Sequence, residues 1–327
     1  MAADPLPVLT AHAHGTIKSF IQKGYRAMIY RMTMNRFLHS RRTLSVWLST
    51  VVVSASLLGL HDASADALPP TAVSRSPIIA LATDAPHRLL LKATAKALYR
   101  SASGGRQWQQ ITLPHPGAHI AAIGTSSQQP GLLYIGGPGL GIFRSTDDGR
   151  HWESLNKGLP SLAVEALAAH ADQPGTVYVY VAGHGIFRSR HDGHDWLLMD
   201  HGPKAPILHF IHSNMPGSMQ TGWLFAATTK GVARSMDCFC GWQNAGNLKG
   251  KVSAIAYDPR QPRQIYAAVG ENLLLSKNGG QQWMQVMSPA PIVTALLVTP
   301  DGVLYAAGKG TFFRSTDQAK TWERIDG

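Results

Sequence analysis

Few residues of this 327-residue chain are spaced for chemistry. Cys238 and Cys240, its two cysteines, flank Phe239. Three states are open to such a pair: a tight local disulfide in an oxidising compartment, a soft-metal pair for copper or zinc, or two idle thiols. His191 with His194, and His209 with His212, have a spacing that shares one face of a helix. Their surroundings are of strand and turn type, where that spacing does not converge on an ion. Neither a metal nor a cofactor is therefore expected. Glu165, Asp200 and Glu271 lie far apart in the chain with no motif pairing them, whereas glycoside cleavage needs two carboxylates facing each other, one protonated.

The elements that hold these residues are repeats. Six octets end in tryptophan: SASGGRQW at Trp108, STDDGRHW at Trp152, SRHDGHDW at Trp196, SMDCFCGW at Trp242, SKNGGQQW at Trp283 and STDQAKTW at Trp322. The intervals between these tryptophans are 44, 44, 46, 41 and 39 residues, and six of the eight tryptophans in the chain belong to the pattern. Upstream of an octet come an apolar run ending in a turn (Val252 to Tyr257 before Asp258-Pro259), a short strand (Val177-Tyr178-Val179-Tyr180), a glycine turn and a third strand (Gly185-Ile186-Phe187-Arg188-Ser189). The tryptophan opens a fourth. Four short strands per repeat of about 42 residues make a propeller blade, which cannot bury both faces alone and so must stack. A ring leaves no bare end, and a β-sandwich would not explain the recurring tryptophan. The expectation is an all-β, six-bladed β-propeller of four-stranded antiparallel blades over 77–327, with 68–76 as linker or closing strand.

The pattern S-x-D-x-G-x-x-W resembles the Asp-box, or BNR, repeat of sialidases, sortilin-type receptors, xyloglucan-degrading enzymes and photosystem II assembly factors, a blade module of the broader WD40/YVTN-like kind. The resemblance covers nearly all of the chain after the leader. Asp147, Asp237 and Asp317 keep the acid, while Ser103, His191 and Asn278 replace it. A short polar side chain can accept amide hydrogen bonds within its own turn, glycine permits positive φ, and the indole is an apolar plate to lodge between sheets. Octets of this kind are hairpin staples, so Trp108, Trp152, Trp196, Trp242, Trp283 and Trp322 are structural. Arg100, Arg144, Arg188, Arg234 and Arg314 precede the octet serines. Sialidases grip a carboxylate with three arginines, but these five recur at one position beside the octet turn and read as scaffolding between blades.

The resemblance also implies where a ligand would meet the ring: the rim formed by the loops between second and third strands and between blades. The expected candidates there are Lys92, Lys96, His184, Lys204, Lys230, Glu271 and Lys309, with His115, His119, Lys157, His201, Lys249 and Lys251 on the same rim. Asp84, Asp172, Asp258 and Asp301 fall on the opposite rim, beside proline or close to glycine, as turn formers.

The composition sets the remaining bounds. Charged residues make up 15% of the chain and the net charge is +11. Part of that charge is an address. Arg31, Arg36, Arg41 and Arg42 precede the uncharged stretch Leu44 to Leu60, and A-x-A sites follow at Ala65 and Ala67. Residues 31–67 thus read as a cleaved export signal, of general or twin-arginine type, with an uncleaved anchor as the rival and 1–30 as a leader or over-extended start. Residues 68–327 keep 23 basic against 16 acidic residues, a charge of +7. No nucleic-acid motif accompanies it. The expectation is a periplasmic or secreted monomer without a membrane span in its mature part, a binding or scaffold protein rather than an enzyme, engaging a protein or an anionic envelope component. The alternative is a glycoside hydrolase or carbohydrate-binding protein of the sialidase-like superfamily.

Overall fold

The computed structural model describes residues 76–325, apart from residue 87. The leader and signal expected over 1–67, and most of the expected linker or closing strand, lie outside the described residues. What is described is six four-stranded antiparallel sheets. Blade 1 holds β1 (Ala80–Asp84), β2 (Leu89–Thr94), β3 (Ala97–Ser101) and β4 (Gln109–Ile111), and blade 2 holds β5 (Ala122–Thr125), β6 (Leu133–Gly137), β7 (Gly141–Ser145) and β8 (Glu153–Ser154). Blade 3 is β9 (Val164–Ala169), β10 (Val177–Val181), β11 (Gly185–Ser189) and β12 (Leu197–Asp200). Blade 4 is β13 (Ile207–Ser213), β14 (Trp223–Thr228), β15 (Gly231–Met236) and β16 (Gln243–Asn244). Blade 5 runs through β17 (Val252–Asp258), β18 (Gln261–Val269), β19 (Asn272–Ser276) and β20 (Met284–Val286). Blade 6 ends the ring with β21 (Ala295–Val298), β22 (Leu304–Ala307), β23 (Phe312–Ser315) and β24 (Glu323–Arg324).

Burial follows position in the blade. Every residue of β6 and of β14 is buried, because both faces of a middle strand are covered by neighbouring blades. The outermost strands β8, β16 and β24 are two residues long and exposed, which keeps the free sheet edges short and polar. The apolar side chains form six clusters, each joining two adjacent blades. One of them joins Tyr305, Phe312 and Ile325 of blade 6 to Ile78, Leu90 and Trp108 of blade 1, and so closes the ring. Trp108 meets Phe312 edge-on at 5.4 Å, and the hydroxyl of Thr294 donates to the Ile78 carbonyl at 2.6 Å. Within each antiparallel blade the turns alternate between two rims. One rim carries the turns between second and third strands and the connections between blades. The other carries the first turns and the octets.

Candidate functional site

The octets are hydrogen-bonded turns. In blade 2 the Ser145 hydroxyl donates to Asp147 Oδ1 at 2.8 Å and accepts the Gly149 amide at 2.8 Å, while Asp147 Oδ1 accepts the amides of Arg150 and His151. The same serine-to-amide bond, four residues on, recurs at Ser101–Gly105, Ser189–Gly193, Ser276–Gly280 and Ser315–Ala319. Those bonds hold Asp147 and Asp317 well below the usual carboxylate range, chiefly through amide and side-chain bonds from His151 and Thr321 respectively. Four of the six indoles then reach a carbonyl of the preceding blade: Trp152 Nε1 donates to Thr112 O, Trp196 to Leu155 O, Trp283 to Ala245 O and Trp322 to Met287 O, all at 2.8 or 2.9 Å. Two of the octet arginines also cross between blades. Arg144 donates to Asp192 O at 3.2 Å as well as pairing with Glu153 at 2.7 Å, and Arg234 donates to Gly279 O at 2.6 Å.

Blade 4 departs from this pattern. Cys238 and Cys240 are joined by a disulfide, with Cα atoms 5.4 Å apart. The Ser235 hydroxyl donates to Met236 O instead of clamping the turn. Asp237, expected to cap its own octet, faces inward and accepts the amide and the hydroxyl of Thr221. The physical reason is substitution: the disulfide closes the turn covalently, which releases both the serine and the aspartate. Trp242 donates to a side chain, Asp200 Oδ1, rather than to a carbonyl.

On the rim of between-blade connections, Lys96, Lys204, Lys230 and Lys309 are exposed, as are Lys157, Lys249 and Lys251. None of these seven forms an ion pair with a carboxylate among the described residues. His184 and Glu271 lie exposed in the same set of turns, and Glu271 is the one carboxylate in these loops among the described residues. Lys92 requires a correction. It sits within β2, not in a loop, with its ammonium 4.2 Å from the centre of the Trp108 ring, because a strand position beside an exposed indole edge lets the lysine stem lie on the ring. Asp200 is also committed elsewhere, to Trp242 and the Gly202 amide.

A second group was not expected from the sequence. His170, at the end of blade 3's inner strand, His212 on β13 and Asp237 after β15 come together, buried at 4%, 2% and 1% exposure. The His170 and His212 rings lie 3.8 Å apart. His170 Nδ1 accepts the amides of Asp172 and Gln173, and His212 Nδ1 accepts the amide of Ala171. Each ring therefore carries its proton on Nε2. His170 Nε2 donates to Thr221 Oγ1 at 2.7 Å, and Thr221 passes its own proton toward Asp237. His212 Nε2 stands 3.8 Å from the Asp237 carboxylate, too far for a hydrogen bond. Burial, then the neighbouring His212, holds His170 neutral with a pKa lowered to about 3. Burial pushes the Asp237 carboxyl up, but the Nε2–H dipole of the neighbouring His212, short of a hydrogen bond, and the Thr221 bonds outweigh it and hold it at about 2. The donor set does not suit a metal. An ion taken by the Nε2 atoms would strip the remaining proton from rings whose Nδ1 is already an acceptor, leaving two imidazolates. The arrangement is a closed polar relay tying blade 3 to blade 4. A signal for it was present: His170 and His212 are 42 residues apart, about one repeat, and so lie near the same end of the inner strands of adjacent blades.

No protein-family model matches the chain, and no curated protein sequence matches it. Solved structures do share its fold. The GH74 xyloglucanase from Xanthomonas campestris aligns with a TM-score of 0.56 at 16% identity, over 76% of this chain and 47% of that one. The structure of YCF48 bound to D1 peptide aligns with a TM-score of 0.51 at 18% identity, over 76% and 82%. The extracellular domain of a putative one-component system from B. thetaiotaomicron aligns at 0.54 and 14% identity, over 76% and 33%. The chain spans about half the length of the GH74 enzymes it matches. At these identities the likeness establishes a β-propeller fold. No helix among the described residues is long and apolar enough to cross a membrane.

Proposed function

We propose that this chain is an exported, non-enzymatic propeller of Asp-box type that binds a protein or an anionic envelope component through its lysine-bearing rim. The observation that carries the reading is the set of exposed lysines on one rim, unpaired with carboxylates among the described residues. Unneutralised charge of one sign on one face steers and orients an acidic partner. The apolar side chains of Leu162, Met287 and Ile292, 43%, 58% and 46% exposed, lie in the between-blade connections of the same rim and supply contact area between the charges. That a propeller of similar fold, YCF48, has been seen with a peptide supports a peptide segment as the partner class. Catalysis is less well served. Of the rim's carboxylates Asp200 is hydrogen-bonded to Trp242, and Glu271 is exposed in a turn of a different blade. Export rests on the signal-like segment 31–67.

The test is retention of a partner from envelope extract on the immobilised protein, compared with the Lys230→Glu/Lys309→Glu variant. The expected result is a defined partner that the charge-reversed protein releases and that raised salt weakens. Unchanged retention would reject the lysine rim. Turnover of an aryl glycoside panel, abolished by Glu271→Gln or Glu165→Gln, would replace the reading with a hydrolase.

A further inference from the structure

At the opposite end of the ring axis the six inner strands open into a basin of about 400 Å3. Most of its wall is apolar, with Leu81, Ile123, Phe210 and Val298 among the lining residues. Where blades 3, 4 and 5 meet, Asp172, Asn214 and Tyr257 line the basin.

Asp172 differs from the other aspartates of the first turns. Asp84 accepts the Gly131 amide at 2.8 Å, Asp258 accepts the amide and guanidinium of Arg260, and Asp301 accepts the Thr299 hydroxyl. In blade 3 that duty belongs to His170, whose Nδ1 accepts the amides of Asp172 and Gln173 at 3.1 and 3.0 Å. The Asp172 carboxylate is thereby left out of its own turn. It forms no ion pair with a cation among the described residues and receives Asn214 Nδ2 at 3.0 Å. That bond also fixes which way the Asn214 amide points, so its buried Oδ1 is an acceptor, and it has no partner among the described residues. Tyr257 completes the side with a phenol kept protonated by burial and by Asp172 and Asp258. A carboxylate, held in place by the Asn214 amide, and a phenol oxygen offer lone pairs beside an apolar wall. The complement is a cation with several N–H donors on an apolar body, since a carboxylate without a cation beside an apolar wall favours a charge-assisted donor.

We infer that this basin binds a small apolar amine in its ammonium form, its N–H groups held by Asp172 and the Tyr257 oxygen and its body against the apolar wall. A volume of about 400 Å3 falls within the range of small-molecule pockets. The site lies on the rim opposite the lysines and does not depend on what they bind.

Calorimetric titration of the full chain at neutral pH with 4-phenylbutylammonium, 4-phenylbutanol and 4-phenylbutyrate tests it. The ammonium ion is expected to bind one to one, about tenfold more tightly than the isosteric alcohol, with the carboxylate weaker still. Asp172→Asn, a change at an exposed side chain, should erase the preference for ammonium over alcohol while leaving the melting temperature near that of the parent. Lys230→Glu, on the other rim, should leave all three titrations unchanged. Equal affinity for ammonium and alcohol, a preference that survives Asp172→Asn, or no saturable binding of the ammonium ion would each overturn the assignment.

Discussion

The indole Nε1 of Trp196 donates to the carbonyl oxygen of Leu155, 2.8 Å away across the boundary between blades 3 and 2. The bond makes this octet part of two blades at once. Its hydroxyl–amide clamp, from Gly193 to Ser189, shapes the hairpin of one blade, and its indole ties that hairpin to the blade before.

Replacing Trp196, 7% exposed, separates the two contributions. Trp196→Phe keeps most of the apolar plate and loses the bond, for about 1–2 kcal/mol. Trp196→Ala also opens a cavity and should cost about 3–5 kcal/mol. Urea denaturation of the two variants checks this, and no loss in Trp196→Phe would mean that the indole N–H contributes nothing.

The octet glycine carries a second requirement besides positive φ. A Cβ on Gly193, at φ +92°, would stand 2.2 Å from Leu155 Cδ1, and one on Gly149 would stand 2.4 Å from Ile111 Cγ2. Ala319 occupies the same octet position at φ +65°, so the conformation alone does not exclude a methyl group. Gly193→Ala should therefore destabilise by about 2–4 kcal/mol, from strain and overpacking together. Melting temperatures measured beside the Ala319→Gly variant separate the two effects. If Gly193→Ala loses no more than Ala319→Gly gains, the blade contact is not limiting.

The buried relay predicts an acid limb that begins early. His170 has a folded pKa near 3, against about 6.5 when unfolded, so the unfolded chain binds the extra proton in between. Its contribution is complete above about pH 6.5 and is lost as pH falls toward 3. His209, lowered to about 4 by burial and Lys251, acts in the same direction, and Asp237 adds its loss between about pH 4 and 2. Unfolding free energy should fall by about 1.4 kcal/mol per pH unit for each of these protons taken up. His170→Gln should flatten the upper part of the limb, whereas a parent protein whose stability is level from pH 6.5 to 4 would refute a neutral His170 in the relay.

Blade 4 should respond to thiols while the other blades do not. The disulfide closes a three-residue loop, for which chain-entropy arguments give about 1–2 kcal/mol. Cys238→Ser with Cys240→Ser should lower stability by that amount and make it insensitive to reductant. A parent protein whose melting temperature ignores reductant would show that the turn holds without its sulfur bridge.

How much of this was legible depended on whether the signal lay within one repeat or between repeats. The spacing of Trp108, Trp152, Trp196, Trp242, Trp283 and Trp322 encoded the blades, because each octet folds locally and needs a fixed length of strand around it. Lys96, Lys230 and Lys309 fell where the strand count placed them, since a short turn between two strands has one position to occupy. Lys92 did not, because a lone lysine amid apolar residues marks a strand end as readily as a strand interior lying under an indole. The relay was missed because His170, His212 and Asp237 belong to no shared motif and meet only when blade 4 packs on blade 3. Asp172 and Asn214 are likewise 42 residues apart. In a ring of repeats, adding one period to a residue number finds its neighbour across the interface.

Among the described residues each sheet is one uninterrupted stretch of chain, in the order β1–β4 through β21–β24, with no strand exchanged between blades. The blades are therefore interchangeable in sequence order without rethreading. Recoding the protein so that it starts at the connection before β9 and joins blade 6 to blade 1 through a new peptide linker would leave every sheet intact. Such a permuted gene places fusion partners or surface tethers at a chosen azimuth around the ring.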